Sequence, residues 1–352
     1  MKIGILTFHC AYNFGAMLQA YALQETLKEM GHNAEIINYR PDYLEIKKAH
    51  FTWRSYVSRN PLRLKAKIRG TLNFKAYYKA YNNFEHKYLN LSDLSVPCHY
   101  DRIIIGSDQV WNKRYNANDP IWYGELPKSI TADKIITYAA SAGDATETEL
   151  DRDAIIRNSD RFSSILVREA ALYRQLGLLN ILSEKVLDPT LLADDGVWNE
   201  WQNNLFEDKY IIVYQGRADD NIIRIAKSLA SQRECRILTV DQYANSFGRG
   251  LNHVNISPRE FVETVRHAEC VVTSSFHGTA VSIITSTPFY TIRMNDGADN
   301  RSRELLASLG LLSRMIDKES SPAFTEVDFS ESRKKLSELR KKSVALLNNS
   351  LK

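Results

Sequence analysis

A short polar segment in the last third of the chain, residues 273–279, contains two serines, a histidine and a glycine. It follows an apolar run, residues 270–273, that we expect to be a buried strand, and it leads into an apolar helix. The first turn of such a helix attracts anions, because its amides have no intrahelical partner and the helix dipole is positive there. Ser274 or Ser275 can cap the helix or donate to a ligand, and Gly278 lets the backbone approach a ligand closely.

His277 lies within this segment, where a bound phosphate or carboxylate would dock. Histidine titrates near neutral pH, so its imidazole can give or take a proton under cellular conditions. The segment therefore indicates a general acid or base beside an anion site. A histidine at a helix start can equally be a structural residue, and the residues alone leave both interpretations open.

A second basic residue, Arg168, ends the apolar run of residues 164–167 and is followed by Glu169. An arginine at the carboxyl end of a strand faces the cleft, where its guanidinium can bind a carboxylate or phosphate through two parallel hydrogen bonds. A salt bridge with a nearby acid is the alternative. Further candidates of the same kind follow the apolar run 289–292, namely Arg293, Arg301 and Arg303.

Residues 9–15 form a loop after the first predicted strand. They contain too few glycines for a dinucleotide-binding fingerprint or a P-loop, which disfavours NAD and ATP as ligands. Asn13 and Gly15 still precede a helix start, where an acceptor sugar or a phosphate can bind. For Asn13, a simple helix cap is the alternative.

A second loop, residues 106–112, combines an acid, amides and an indole. Carboxylate and amide groups bond sugar hydroxyls while an aromatic face covers a sugar ring. The candidates for binding an acceptor sugar are therefore Asp108, Gln109, Trp111 and Asn112. Asp108 can also act as the base that takes a proton from a hydroxyl group, with helix capping as the alternative.

The elements that must position these residues alternate between strand-like and helical patterns. Apolar runs typical of buried strands occur at residues 2–8, 34–39, 102–105, 134–140, 164–167, 186–187, 210–214, 236–240, 270–273 and 289–292. At 352 residues the chain exceeds the roughly 250–300 residues at which one hydrophobic core stops growing. We therefore predict an α/β protein of two Rossmann-like, doubly wound domains, residues 1–188 and 189–352, which face each other across a cleft.

An insertion at about residues 41–100 interrupts the first predicted domain. Between residues 47 and 87 its only acid is Glu85, and its cations are Lys47, Lys48, Arg54, Arg59, Arg63, Lys65, Lys67, Arg69, Lys75, Lys79 and Lys87. Interleaved with them are Phe51, Trp53, Tyr56, Phe74, Tyr77, Tyr78, Tyr81 and Phe84. One interpretation is a solvated helical pair whose aromatic residues are core. The other is a face for an anionic acceptor, such as a lipid diphosphate carrier, or for the membrane surface.

Composition narrows the class of protein. A net charge of +4 is too small to indicate nucleic acid by itself, and we expect no nucleic acid partner. Four scattered cysteines suggest neither a disulfide framework nor a zinc site, which favours a reducing cytoplasm. The first apolar run is too short for a signal peptide, and none reaches the ~20 residues of a membrane span. We expect a cytoplasmic protein, with peripheral contact to the inner membrane face through residues 47–87 as an option.

Five blocks, in this order, resemble those of the polysaccharide pyruvyl transferase family. They are residues 13–20, residues 106–112, Val167-Arg168-Glu169, Leu187-Asp188-Pro189-Thr190 and Ser274-Ser275-Phe276-His277-Gly278. The resemblance spans residues 1 to about 312. Each block alone is common, whereas their shared order and spacing are specific to the family.

The resemblance implies a fold similar to that of the GT-B glycosyltransferases. It also implies phosphoenolpyruvate as donor, a sugar residue of a surface polysaccharide as acceptor, and no metal or redox cofactor. By similarity His277 would be the general acid/base, and the donor would be bound by Arg168, Ser274, Ser275 and Gly278. The loops 9–15 and 106–112 would serve the acceptor.

Two other functions fit the same pattern. A glycosyltransferase that uses a nucleotide sugar would need the same two-domain cleft, with a helix N-terminus for the diphosphate, and fold analogy does not separate it from a pyruvyl transferase. A non-catalytic carbohydrate-binding relative would retain the fold alone. The presence of both His277 and Arg168 disfavours this third interpretation.

Overall fold

The computed structural model describes residues 1–45, 61–144, 150–216, 219–240 and 251–352, with the backbone alone for residues 61–71. The described residues form two parallel, six-stranded sheets with helices packed on them. Within these ranges no helix combines the length and the apolar character that crossing a bilayer requires.

The first sheet has the strand order β2-β1-β3-β4-β5-β6. Its strands are β1 (Lys2–Leu6), β2 (Asn33–Ile36), β3 (Cys98–Ile105), β4 (Ile130–Ala140), β5 (Phe162–Val167) and β6 (Glu184–Lys185). The second sheet has the order β12-β11-β10-β7-β8-β9. Its strands are β7 (Tyr210–Tyr214), β8 (Arg236–Thr239), β9 (Asn252–His253), β10 (Cys270–Thr273), β11 (Phe289–Arg293) and β12 (Met315–Asp317).

The helices follow the strands in alternation. In the first half of the chain they are α1 (Phe14–Glu29), α2 (Pro61–Tyr88), α3 (Lys113–Asn116), α4 (Arg152–Asn158) and α5 (Ala170–Leu178). In the second half they are α6 (Pro189–Leu192), α7 (Asp195–Asn199), α8 (Asp220–Arg233), α9 (Pro258–Arg266), α10 (Phe276–Thr285), α11 (Asp299–Leu309) and α12 (Ser330–Leu351).

The strand order confirms the predicted fold of two doubly wound sheets. In each sheet the order reverses beside the first strand, between β1 and β3 in one and between β7 and β10 in the other. In open α/β sheets, ligands bind outside the carboxyl ends of the strands at such a switch point. Two loops lead out of the first switch point, residues 7–13 and 106–112, and the start of α10 follows the second.

Local signals mark the ends of α1, whereas some strands differ from the predicted ones. The side chain of Asn13 caps α1 by accepting a hydrogen bond from the amide of Ala16 at 2.8 Å, and Gly31 follows the helix with a φ of +83°. The strand predicted at residues 186–187 lies two residues earlier, as β6. Strands β9 and β12 were not predicted, because two or three residues are too short to show a pattern.

The described part of the insertion contains one long helix, α2, whose described aromatic residues are buried or partly buried. Tyr77, Tyr81 and Phe84 are buried, as the first interpretation of the insertion expects, whereas Lys75, Lys79 and Lys87 are exposed. Outside the described residues lie Lys47, Lys48, Phe51, Trp53, Arg54, Tyr56 and Arg59. The side chains of Arg63, Lys65, Lys67 and Arg69 lie outside the description as well.

The last helix, α12, returns from the second sheet to the first. Arg102 on β3 donates from Nε to the carbonyl of Leu351 at 2.9 Å, and the hydroxyl groups of Ser164 and Ser350 lie 2.8 Å apart. The two halves of the chain are therefore joined at the terminal helix as well as at the cleft. The domain boundary at residue 188 stays a prediction.

Candidate active site

The carboxyl end of β10 and the first turn of α10 form the centre of the site. Ser275 caps α10 and its own amide donates to Oγ1 of Thr273 at 3.0 Å. Gly278 packs so closely on the sheet that a Cβ there would lie 2.3 Å from Oγ1 of Thr273. The missing side chain of Gly278 thus lets α10 begin directly on the sheet, while Ser274 is partly exposed beside it.

His277 lies in the first turn of α10 and faces the other half of the molecule. A Cβ on Gly15 would lie 2.1 Å from Nδ1 of His277, so only glycine fits at this contact. Gly15 belongs to the first turn of α1, which Asn13 caps. The starts of two helices therefore meet at one imidazole, and both helix dipoles place positive potential there.

Asp188 lies behind this histidine and is completely buried. Its Oδ2 is 3.7 Å from Nε2 of His277 and 2.7 Å from Nη1 of Arg168, and its Oδ1 accepts from the amide of Thr190 at 2.9 Å. Burial raises the pKa of Asp188, but His277 and then Arg168 lower it more, so that its pKa lies well below the usual range. The carboxylate is therefore ionised at neutral pH.

Arg168 is almost entirely enclosed by its partners. Besides Asp188 it contacts Oε1 of Glu169 through Nε at 2.9 Å and the hydroxyl of Ser141 through Nη2 at 2.8 Å. The salt bridge that the sequence left as an alternative is thus present. Arg168 orients the two acids in this structure, and its direct contact with a donor stays a prediction.

Arg301, on α11, differs from Arg168 because it has no comparable partner. Its Nε is buried without a hydrogen-bond partner among the described residues, and its guanidinium carbon lies 5.8 Å from the ring centre of Phe276. Burial and the charge of Arg168 lower the pKa of Arg301, whereas the charges of Glu169, Asp108 and Asp144 raise it by less. An arginine in such surroundings is suited to binding an anion.

A cavity of about 150 Å³ adjoins these residues between the two sheets. Its lining includes the charged residues Arg168, Asp188 and Arg301 and the apolar residues Phe276 and Leu305. The cavity therefore offers a small molecule both charged groups and an apolar surface.

The loop 106–112 contributes less to the site than the sequence predicts. Trp111 and Asn112 are completely buried. The indole of Trp111 donates to the carbonyl oxygen of Trp122 at 3.0 Å, and the side-chain amide of Asn112 donates to the carbonyl oxygen of Ala142 at 3.0 Å. Neither side chain has a face open to a sugar, because both are used to hold the loop, so the structure corrects their assignment to an acceptor site. Asp108 and Gln109 are partly exposed and remain candidates.

Four site residues were missed or ranked low from the sequence alone: Ser141, Glu169, Asp188 and Arg301. Asp188 precedes a proline, a pattern that indicates a helix cap, and it does cap α6. The second contact of its carboxylate, with Arg168, depends on a strand twenty residues away in the chain. No local pattern reports that contact.

A family model described as polysaccharide pyruvyl transferase matches residues 13–296. The match contains Asp108, Arg168, Asp188 and His277, whereas Arg301 follows it by five residues. The comparison with curated protein sequences gives no match.

Solved structures with some similarity are enzymes that bind nucleotide sugars. A UDP-N-acetylglucosamine 2-epimerase from Rickettsia bellii has 10% identity and a TM-score of 0.45, with 99% of this chain and 96% of that chain covered. The same enzyme from Neisseria meningitidis, bound to UDP-GlcNAc, has 10% identity, a TM-score of 0.48 and coverages of 98% and 94%. Arabidopsis thaliana UGT89C1 complexed with UDP-L-rhamnose has 12% identity, a TM-score of 0.47 and coverages of 99% and 98%. At 10–12% identity, the substrates of these enzymes do not indicate the substrate of this chain.

Replacing Asp188 by asparagine tests the buried charge cluster. We expect Asp188→Asn to lower the free energy of unfolding by about 3 kcal/mol at pH 7, because it removes one partner of a buried ion pair. Since the folded-state pKa of Asp188 is lowered, its contribution is complete above the unfolded-state pKa of about 3.9 and is lost as the pH falls through the folded-state pKa. Thermal unfolding should show a difference between the two proteins that is constant from pH 7 to about 4 and that narrows as the pH falls further.

Asp195→Asn is the matched control. Asp195 pairs with Arg340 at 2.7 Å, but its side chain is 59% exposed, so its loss should cost at most about 1 kcal/mol. Equal destabilisation by the two substitutions would contradict the assignment of a special buried cluster around Asp188.

Proposed function

The chain belongs to the polysaccharide pyruvyl transferase family, and on this premise we propose that it transfers pyruvate from phosphoenolpyruvate to two hydroxyl groups of a sugar residue, as a ketal. The main support is the imidazole of His277. Its Nε2 is buried without a hydrogen-bond partner among the described residues, beside the ionised Asp188 and at the start of two helices. An imidazole held in this way is prepared to carry a proton.

The charges around His277 support an anionic donor. Phosphoenolpyruvate carries a phosphate and a carboxylate. The first turn of α10 offers positive potential, and Nε of Arg301 has no hydrogen-bond partner among the described residues. We assign the donor's phosphate to the start of α10, with Ser274 beside it, and its carboxylate to Arg301. Arg168 acts indirectly in this assignment, by fixing Asp188.

The proposed reaction begins with a proton from His277 to the methylene carbon of phosphoenolpyruvate, which becomes a methyl group. The central carbon is then electrophilic, and a sugar hydroxyl oxygen bonds to it while its proton passes to a base, for which Asp108 is the candidate. The carbon–oxygen bond to phosphate breaks with its electron pair, and inorganic phosphate leaves. A second hydroxyl oxygen closes the ketal and its proton returns to His277, while the leaving phosphate takes the proton that Asp108 accepted. These steps require an acid, a base and fixed cations, so we propose no metal or redox cofactor.

The exposed face of α2 supports an anionic acceptor. Lys75, Lys79 and Lys87 are exposed at helical spacing on the side opposite the buried Tyr77 and Tyr81. A lipid-linked oligosaccharide carries a diphosphate that such a face would attract, and each lysine near an anionic membrane surface contributes about 1 kcal/mol. We therefore propose a lipid-linked acceptor presented at the membrane surface.

His277→Gln should lower kcat for pyruvyl transfer by about 10²–10⁴-fold, because positioned acid/base catalysis contributes that factor. The variant should still fold and unfold cooperatively, at a somewhat lower melting temperature, because Asp188 loses one of its compensating groups. Turnover is measured as phosphate release that depends on the acceptor. His267→Gln, at an exposed histidine, is the control and should leave kcat unchanged. Normal turnover of a folded His277→Gln variant would remove the histidine from the mechanism.

Arg301→Gln should weaken the binding of phosphoenolpyruvate. A ligand present at 100 times its Kd stabilises a protein by about 2.7 kcal/mol, so the unchanged protein should melt at a clearly higher temperature with phosphoenolpyruvate. Most of this shift should be lost in Arg301→Gln and retained in Arg303→Gln, an exposed arginine on the same helix. Stabilisation by nucleoside diphosphates, and none by phosphoenolpyruvate, would instead identify a glycosyltransferase.

The triple variant Lys75→Gln, Lys79→Gln, Lys87→Gln should raise KM for a lipid-linked acceptor while leaving kcat nearly unchanged. The difference from the unchanged protein should shrink as salt rises from about 0.05 to about 0.5 M, which shortens the Debye length about threefold, because exposed charges are screened. The control removes three other exposed lysines, Lys209, Lys334 and Lys341. An equal effect of the control, or indifference to salt, would rule out this face as the acceptor surface.

A further inference from the structure

The backbone of Tyr12, in the loop between β1 and α1, has an unfavourable conformation for its residue type. Its φ is +33°, in the left-handed region that bulky side chains rarely adopt. The residue is nonetheless buried, with 3% of its surface exposed. Such a conformation persists only where neighbouring groups hold it, and functional sites are where it is found most often.

Three residues of α2 hold Tyr12: Tyr77, Asn82 and Glu85. The hydroxyl of Tyr77 donates to the carbonyl oxygen of Tyr12, and the hydroxyl of Tyr12 donates to Oε2 of Glu85 at 2.9 Å. Glu85 is completely buried and is the only acid among residues 47–87. The hydroxyl of Tyr12 also donates, over a longer 3.3 Å, to Oδ1 of Asn82. The insertion thus binds both the backbone and the side chain of Tyr12, with Glu85 as the nearer partner of the hydroxyl.

Glu85 has further partners in the loops that follow β1 and β2. Its Oε1 accepts a hydrogen bond from Nη2 of Arg40 and lies 3.9 Å from Nε2 of His9, a completely buried residue of the same loop. His9 is also bonded to the amide oxygen of Asn38 at 3.1 Å. A single carboxylate of the insertion therefore anchors the whole loop, from His9 to Tyr12.

The residues that follow Tyr12 lead directly to the catalytic histidine. Asn13 caps α1, and Phe14 stacks on Phe261 of the second half of the molecule with ring centres 4.2 Å apart. Gly15 then makes the contact with the imidazole of His277, where no Cβ fits. A small displacement of Tyr12 would therefore move the surface against which His277 is held.

We infer that Glu85 is a positioning residue for His277, which acts through the hydroxyl of Tyr12 and the start of α1. The basic insertion then has two roles on opposite faces of one helix: its exposed lysines face the acceptor, and its buried acid sets the geometry of the proton carrier. The kinetic part of this inference rests on the proposed function, whereas its structural part does not.

The test compares Tyr12→Phe, Glu85→Ala and Glu85→Gln in the full chain. We expect Tyr12→Phe and Glu85→Ala each to lower kcat by about 10–100-fold, since a misplacement of 1 Å at a catalytic group can cost that much. The Kd of phosphoenolpyruvate should change less than about twofold. Glu85→Gln keeps an acceptor for the Tyr12 hydroxyl and should retain more activity than Glu85→Ala. The double variant Tyr12→Phe, Glu85→Ala should be no worse than Glu85→Ala alone.

The NMR signals of the His277 imidazole give a readout that does not depend on turnover. They are assigned by their loss in His277→Gln, and they should shift in Tyr12→Phe and in Glu85→Ala. The control is Tyr88→Phe, which removes from α2 a hydroxyl group that accepts a hydrogen bond from Arg259 on α9. It should change neither kcat nor these signals. Unchanged His277 signals and kcat in a folded Tyr12→Phe variant would overturn the inference.

If the unchanged protein shows no pyruvyl transfer, the proposed function fails, but the NMR comparison still decides the positioning role. Equal losses in Tyr88→Phe and Tyr12→Phe would overturn that role too, because they would indicate general weakening of the contact between α2 and its neighbours. Tyr12→Phe keeps the fold testable if Glu85→Ala, which leaves Arg40 without its buried partner, does not fold.

Discussion

The buried carboxylate of Asp188 is the interaction on which the rest of the site depends. A charge in the interior is costly unless other charges and hydrogen bonds surround it closely. Here the compensation comes from Arg168 at the end of β5, from the amide of Thr190 and from His277 at the start of α10. Since these groups belong to both halves of the molecule, the need to compensate one carboxylate also sets how the two halves meet.

The two arginines near the site consequently have different roles. The guanidinium of Arg168 donates hydrogen bonds to Glu169, Asp188 and Ser141, so it stabilises the arrangement of the protein's own groups. Among the described residues, Nε of Arg301 has no hydrogen-bond partner, and for this reason we assign the donor's carboxylate to it. Residue type alone does not distinguish them, because the difference lies in which acids each guanidinium reaches.

The topology explains why the proton carrier stands where it does. Both switch points open toward the cleft, and the helices that begin there, α1 and α10, direct their amide ends at the same place. Gly15 and Gly278 allow the close approach, one against His277 and the other against the sheet. The aromatic contact of Phe14 with Phe261 and the packing of α2 then hold the first turns of α1 and α10 close together.

Much of this architecture follows from the sequence by itself. Alternating apolar runs and helical patterns determine two doubly wound sheets, and caps such as Asn13 are read from adjacent residues because capping is a local interaction. The order of the motif blocks likewise indicated the family. Which residues lie in loops at strand ends, and therefore near a ligand, was predictable to the same extent.

What only the tertiary structure decided is how distant side chains are paired. Trp111 and Asn112 belong to a motif suited to binding sugars, yet both are buried, because the loop directs their side chains into the protein interior. Asp188 has the pattern of a helix cap and is also the counter-ion of Arg168, and Glu85 belongs to a basic insertion yet anchors the loop before α1. Such pairings depend on burial and on contacts between remote segments, which residue order does not specify until the chain has folded.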